Sequence, residues 1–308
     1  VAVAFDLKAP TFRHKKYAEY KAGRKGMPEE LAEQMLPLKQ VLDAMSVPCY
    51  ELSGYEADDL IGTISRKCEA AGWDCTIATG DRDSLQLITA HTHVRLLTGG
   101  KGPDGDRCMT ESTFRAEYGF DPIHMIDLKA LAGDSSDNIP GVPGVGDGFA
   151  AKWINQFGSL DGICEHADEI GGKKGESLRA NIDQVKLNRK VNALVRDVDL
   201  GVDIEDLTFG TVDVAQIDAL FKELEFGPRT KSRVLKTFNT GAKASNTSGA
   251  GESTNNEQNE QDSSLDLNLP EPTSITAPEQ FDEWVKAHRV EVKVPGEIAD
   301  FTVSDYGD

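Results

Sequence analysis

Carboxylates stand where apolar runs end or helix patterns begin, positions at which burial of the chain gives no reason to place them. They fall in four short groups: Asp6, Glu56-Ala57-Asp58-Asp59, Asp81-Arg82-Asp83 and Asp134-Ser135-Ser136-Asp137. Val1 to Phe5 is an apolar run that ends at Asp6, Cys75 to Thr79 ends just before Asp81, and His93 to Leu97 ends in Gly99-Gly100. Continuous apolar runs with polar ends read as buried parallel strands. Between the first two, Leu31, Met35, Leu38, Leu42 and Met45 recur at spacings of three or four, followed by Leu60, Ile61, Ile64 and Cys68. That is the period of a helix with one apolar face. Strand alternating with helix predicts an open α/β sheet, and ligands of such sheets bind beyond the carboxyl ends of the strands. Asp6, Asp81 and Asp83 occupy that edge.

If the four groups converge, like charges a few ångströms apart in a partly desolvated site repel by kilocalories unless cations share the space. Oxygen-only ligands without histidine or cysteine select hard ions such as Mg²⁺ or Mn²⁺ over zinc, and a pair of such ions is a device for cleaving phosphodiesters. The residues therefore point to a metal-dependent nuclease. Asp81 and Asp83 lie two apart after a strand. Asp134 and Asp137 lie three apart, which predicts one face of a helical turn. Glu56 to Asp59 also has a structural reading, because carboxylates at a helix start cap amides and meet the dipole.

The chain of 308 residues carries a net charge of -19, which at first argues against a nucleic-acid partner. Its distribution reverses that reading. Residues 241–308 hold 4 Lys/Arg against 14 Asp/Glu, leaving 29 against 38 upstream, where the acidic groups themselves account for much of the excess. Arg13, Lys15, Lys16, Lys21, Arg24 and Lys25 crowd together with Glu19 as the one acid among them. Phe12, Tyr17 and Tyr20 interleave with these cations, a mixture suited to phosphate contact and base stacking, although a charge run also suits a solvated helix face. Five cysteines, odd in number and without a CxxC pair, read as reduced structural residues. With no apolar stretch long enough for a membrane span and no leader-like segment, the expected setting is cytoplasmic. His91 and His93 share a strand face but lack a third ligand, and read as structural.

Pro37 interrupts the first helical pattern and predicts a kink or boundary there. Beyond Leu131 the texture changes to short helices and glycine turns, with helical patterns from near Phe149, from Leu178 to Val195 and from Val214 to about Phe238. Gly141-Val142-Pro143-Gly144-Val145-Gly146 and the helix after it suit a hairpin that offers backbone amides to a phosphate, or an ordinary turn between helices. Residues 241–272 have the composition of a flexible linker, and Ile275 to Trp284 looks like the entry to a further domain.

Several phrases together resemble the 5′-nuclease, or flap endonuclease, family, and within it the 5′-3′ exonuclease domains of bacterial DNA polymerase I. They are Ala4-Phe5-Asp6-Leu7-Lys8-Ala9-Pro10-Thr11-Phe12-Arg13-His14, Tyr20-Lys21-Ala22-Gly23-Arg24, Gly54-Tyr55-Glu56-Ala57-Asp58-Asp59, Thr79-Gly80-Asp81-Arg82-Asp83 and Gly133 to Val142. The resemblance covers residues 1 to about 240. It implies an α/β fold: a PIN-like nuclease core with a central, mostly parallel sheet and a helical arch over residues 1–130. An all-helical helix-three-turn-helix subdomain of helix-hairpin-helix type would follow at 131–240, then the linker at 241–272 and the start of a 3′-5′ exonuclease-like domain at 273–308.

By position, the resemblance implies that Asp6, Glu56, Asp58 and Asp81 are inner ligands of two Mg²⁺ or Mn²⁺ ions. Asp59, Asp83, Asp134 and Asp137 would support them or hold the second ion, with Lys21 and Arg24 as the catalytic cations at the scissile phosphate. Arg13, Lys15, Lys16, Tyr20, Gly141, Gly144, Val145, Gly146 and Lys152 would contact DNA, with a possible K⁺ at the hairpin. The implied partner is DNA with 5′ flaps, nicks or branches, bound by a monomer linked to a downstream polymerase domain. The competing expectations are a PIN-type ribonuclease and a catalytically inactive DNA-binding fragment. Two departures bear on the latter. The family's opening strand, with an aspartate and an arginine, has no counterpart after Val1, which would leave the sheet short of a strand and the site short of a ligand. Asp147-Gly148-Phe149 also replaces an acid-lysine-small triplet in the hairpin, which implies a weaker grip. No Asp-x-Glu occurs in Val290 to Asp308.

Overall fold

The structure, a computed structural model, describes residues 1–97, 106–208, 210–243, 293–294 and 297–298, with side chains described for 1–97, 107–208 and 210–236. The chain divides into two units, Val1–Ser248 and Gly249–Asp308. In the second, an antiparallel pair joins β8 (Lys293–Val294) to β9 (Glu297–Ile298). The rest of the expected linker and following domain lies outside the described residues.

The first unit opens with β1 (Val3–Ala4), α1 (Phe12–Lys16), α2 (Glu29–Ala32), α3 (Met35–Ala44) and β2 (Cys49–Tyr50). β1 and β2 pair in parallel, Val3 opposite Cys49 and Ala4 opposite Tyr50. α4 (Ala57–Ala70) then leads to β3 (Cys75–Thr79), which pairs in parallel with β4 (Thr92–Leu97), Cys75 opposite Thr92 through Thr79 opposite Leu96. The alternation of strand and helix is as expected. The strands form two small sheets rather than one, because β5 (Asp106–Met109) extends the second in antiparallel fashion while β1 pairs with β2 alone. α4 packs against both β1 and β3.

Pro37 does not kink a helix. It is the third residue of α3, in the first turn, where amide hydrogens have no intrahelical acceptor and a missing one costs nothing. The boundary falls just before it, between α2 and α3.

The helical part comprises α5 (Glu111–Tyr118), α6 (Met125–Ala132), α7 (Asp147–Phe157), α8 (Leu160–Glu165), α9 (Gly172–Ala180), α10 (Ile182–Asn192), α11 (Val214–Glu223) and α12 (Pro228–Lys243). The largest apolar cluster joins it to the second sheet: Ile77, Val94 and Leu96 meet Phe114, Leu128, Leu131, Trp153, Ile154 and Leu178, all buried. Between α6 and α7, β6 (Gly133–Asp134) pairs antiparallel with β7 (Ile139–Pro140). Asp134 and Asp137 therefore flank a turn rather than sharing a helix face. Asp134 Oδ1 accepts from the amides of Ser136 at 2.8 Å and Asp137 at 3.3 Å, which holds the turn closed. Among the described residues no helix is long and apolar enough to cross a membrane.

Two glycines let the ends of this ladder touch. Gly133 has φ +82°, and a Cβ at Gly141 would lie 2.2 Å from the carbonyl carbon and oxygen of Ala132. Gly141 is thus required by backbone packing, whatever its backbone contacts. Gly141→Ala should lower stability by about 2–4 kcal/mol, as overpacking against backbone does. Gly148→Ala, with nothing within 4 Å of its Cβ, should be neutral or slightly stabilising. Urea midpoints check this, and equal midpoints for the two variants would refute the close approach.

Candidate active site

Asp59 organises the site from beneath. It lies in the first turn of α4, fully buried, and its two oxygens accept from four donors. Arg13 donates Nη1 to Oδ2 at 2.6 Å and Nη2 to Oδ1 at 2.8 Å. The backbone amides of Glu56, at 3.0 Å, and Val195, at 2.9 Å, complete the set. Arg13 spends its remaining donors on the carbonyls of Val191 at 2.8 Å and Ala193 at 3.1 Å, and its Nη1 lies 3.5 Å from Glu56 Oε2. Only 1% of Arg13 is exposed. The expected roles of both residues change accordingly. With its lone pairs occupied, Asp59 has none for an ion, and Arg13 has no surface for DNA.

Above this pair, Glu56 stands at the N-cap of α4 and receives Lys21 Nζ at 2.7 Å and the Tyr20 hydroxyl at 3.1 Å. Tyr20 is 4% exposed, so it holds Glu56 instead of stacking on a base. Burial first, then the charges of Glu56 and Asp137, push its phenol far up, and it remains a neutral donor. Asp6 follows β1 and caps α4 by accepting from Ala57 N at 2.7 Å. Asp81 follows β3 and accepts from Asp83 N at 2.9 Å, opening a 3₁₀ turn at Arg82–Leu87.

Two turns interlock on the other side. Lys21 adopts φ +57°, uncommon for a residue with a side chain, and donates its amide to the Asp137 carbonyl at 2.9 Å. Arg24 donates Nε to the Ser136 carbonyl at 3.1 Å and forms an ion pair with the Asp137 carboxylate. Asn138 Nδ2 donates to the Glu19 carbonyl at 2.8 Å. The segment carrying Lys21 and Arg24 is thereby seated on the turn carrying Asp134 and Asp137.

One cleft collects Lys21, Glu56, Asp58, Asp81, Asp83 and Asp137, with Tyr20, Arg13 and Asn192 in its wall. Among the described residues, Asp83, Asp134 and Asp137 bring one carboxylate oxygen each within 4.8 Å of the others. Asp58 is pushed up to about 6, first by burial, then by Asp81, Asp6 and Glu56, against the pull of Lys21. A carboxylate driven upward by its neighbours and an oxygen-only donor set are what a site for a hard divalent cation requires, so these residues fit such an ion. Two residues at the site were not expected from sequence. Lys129 contacts both Asp83 and Asp134, and Asn192 presents a buried Nδ2 without a hydrogen-bond partner. Lys129 stands in a helix beside apolar neighbours, a position that gives no local signal.

Lys15, Lys16 and Lys152 are exposed, as are Gly144 and Gly146. Gly144 is left-handed at φ +79° and Gly146 is the N-cap of α7. Val145 is buried with its amide bonded to the Val142 carbonyl at 2.9 Å, so it is a packing residue and not a phosphate contact.

Two outcomes follow. Arg13→Met strands a buried carboxylate and should cost about 3–5 kcal/mol in denaturant unfolding; a loss under about 1 kcal/mol would place Asp59 in solvent. Folding raises the Asp58 pKa from 3.8 to about 6, so this group favours the fold below 3.8 and that contribution is lost as pH rises through 6. A divalent ion must displace the same proton, so Mn²⁺ affinity should climb with pH up to about 6 and then level off. Calorimetric titration across that range tests it, and a flat profile would remove Asp58 from the ligand set.

Comparison with known proteins agrees with this geometry. Residues 1–119 match the 5′-3′ exonuclease N-terminal resolvase-like domain, and residues 120–215 match the 5′-3′ exonuclease C-terminal SAM fold. DNA polymerase I of Bacillus caldotenax is 41% identical over 225 residues, covering 73% of this chain and 25% of that protein. DNA polymerase I of Mycobacterium tuberculosis is 42% identical over 226 residues, with the same coverages. The chain thus spans about a quarter of the length of these relatives. A bacteriophage T5 flap endonuclease, solved as a pseudo-enzyme–product complex with DNA and metal ions, aligns with a TM-score of 0.51 at 22% identity, covering 78% of this chain and 83% of that one. At that identity the likeness speaks for the fold: a resolvase-like, PIN-type α/β core followed by a helical domain. With both of its domains matched in order, the chain belongs to the 5′-3′ exonuclease family.

Proposed function

We propose that this chain is a Mg²⁺- or Mn²⁺-dependent 5′ nuclease that hydrolyses phosphodiesters of flapped, nicked or branched DNA, as the nuclease portion of a larger, cytoplasmic DNA polymerase I. The carrying observation is the cleft in which Glu56, Asp58, Asp81, Asp83 and Asp137 converge beside Lys21. Bound divalent ions would supply a hydrolytic nucleophile at neutral pH and neutralise the charge developing on the phosphoryl oxygens. Asp6, Glu56, Asp58 and Asp81 would hold one ion and Asp83, Asp134 and Asp137 the other.

The chain's own residues supply the rest. Lys21 is partly exposed at the cleft, and its ammonium can turn from Glu56 toward a phosphate once an ion takes over that carboxylate. Arg24 is exposed on its neighbouring turn and can address the same diester. Exposed Lys15, Lys16 and Lys152, and the amides at Gly144, Gly146 and the start of α7, can meet the DNA backbone without reading sequence. A potassium ion at the Gly141–Gly146 hairpin belongs to the same reading.

Cleavage of a labelled 5′-flap duplex with and without Mg²⁺, beside single-stranded RNA, tests the proposal. Asp58→Ala should abolish cleavage while leaving fold and DNA binding largely intact. Lys21→Ala should slow the single-turnover step by about 10²-fold or more, the range for loss of one charge-stabilising group. Wild-type binding without cleavage would identify an inactive DNA-binding module, and preferential cleavage of RNA would indicate a PIN-type ribonuclease.

A further inference from the structure

The carboxylates of the cleft are not equally neutralised. Asp6, Glu56, Asp58 and Asp81 have Lys21, paired with Glu56 at 2.7 Å, and the Arg13 guanidinium, which lies 3.5 Å from Glu56 but is already paired with Asp59. Asp83, Asp134 and Asp137 have two. Arg24 pairs with Asp137 from one side, and from the other Lys129, at the middle of α6, contacts Asp83 and lies 2.8 Å from Asp134 Oδ2. Lys129 and both its partners are mostly enclosed, with side-chain exposures of 18%, 15% and 12%. The ammonium therefore sits among the oxygens that a metal ion would have to gather.

We infer that Lys129 is the resident cation of the Asp83–Asp134–Asp137 site, and that a divalent ion enters there only by displacing its ammonium. This rests on the nuclease reading and adds an order of loading to it. The Asp58 side, where Arg13 is taken up by Asp59 and Lys21 alone is left to offset four carboxylates, attracts the first ion more strongly. The Asp134 side already holds two cationic groups against three carboxylates, so the second ion must expel one before it gains its ligands.

Lys129 serves two of the three carboxylates: Asp83 Oδ1 is buried against its ammonium and Asp134 Oδ2 accepts from it at 2.8 Å. Its side chain is tethered to α6, and Asp137 is left to Arg24. A divalent ion has no such tether and accepts oxygen ligands from several directions. Asp134 accepts from Lys129 Nζ through Oδ2 at 2.8 Å and from the Ser136 hydroxyl through Oδ1 at 2.6 Å.

The test is Mn²⁺ binding to the full chain without DNA, by calorimetry and by the electron paramagnetic resonance signal of free Mn²⁺. Wild type should bind in a tighter and a weaker step. Lys129→Met should tighten the weaker step by about tenfold or more, the effect of removing a unit charge a few ångströms from the ion, and leave the tighter step within about threefold. Lys129→Arg should behave as wild type. Asp134→Asn should delete the weaker step and Asp58→Ala the tighter one, which assigns them. An unchanged or weakened second step in Lys129→Met overturns the inference, as does a tightened one in Lys129→Arg. Should Lys129→Met fail to fold alone, recovery on adding Mn²⁺ is the expected result and failure to recover overturns the inference. A wild type that binds no Mn²⁺ refutes the metal-centre reading itself, whereas two steps indifferent to Lys129 refute only the displacement.

Discussion

The buried pair between Arg13 and Asp59 is the interaction on which the rest of the site depends. Two charged groups with almost no exposure are tolerable because nearly every donor and acceptor is used: a bidentate contact, two carbonyls and two amides. Those partners come from α1, from the start of α4 and from residues 191–195 at the end of α10. One planar guanidinium thus pins three segments distant in sequence, and the N-terminus of α4 can present Glu56 and Asp58 in only one way. A lysine in its place could not make the same fork.

Carboxylates are gathered on that platform at a density the chain offsets in part with its own cations. Lys21, Arg24 and Lys129 each sit on a carboxylate, and the strained Lys21 backbone is held by its bond to the Asp137 carbonyl. Asp58, buried and then crowded by Asp81, Asp6 and Glu56, takes up protons more readily as a result. The cleft is therefore electrostatically graded: one side demands a cation, and the other already has a partial substitute. Such grading follows from where each basic residue sits: Lys21 and Arg24 on a turn after α1, Lys129 on α6. It needs no difference in the carboxylates themselves.

Much of the fold was legible because it rests on local periodicity. The run Cys75–Thr79 is a strand over its full length, and the 57–70 helix has its cap at Glu56. β2 and β5 were not expected, since two- and four-residue strands carry no period of their own and exist only by pairing. The Asp134–Asp137 pair read as helical from its spacing, yet a three-residue spacing fits a closed turn equally well. In the site, spacing alone gave the acidic groups the same signal; only the family resemblance set Asp58 among the inner ligands and Asp59 in a supporting or second-ion role, and nothing in the sequence showed that Asp59 is saturated by Arg13.

Composition and order along the chain were sufficient to determine an α/β core with acidic side chains at one edge, a basic segment near the start and a glycine hairpin before the later helices. These are properties of runs and spacings, which each residue shares with its near neighbours. Tertiary structure alone decided which carboxylates face the cleft and which face an arginine, that Tyr20 and Val145 are interior, and that Lys129 stands among the acidic groups. Several of those outcomes depend on distant partners, 46 residues away in the Arg13–Asp59 contact and 136 in the Asp59–Val195 contact. Charge compensation is a sum over groups brought near in space, and separation along the chain says nothing about its value.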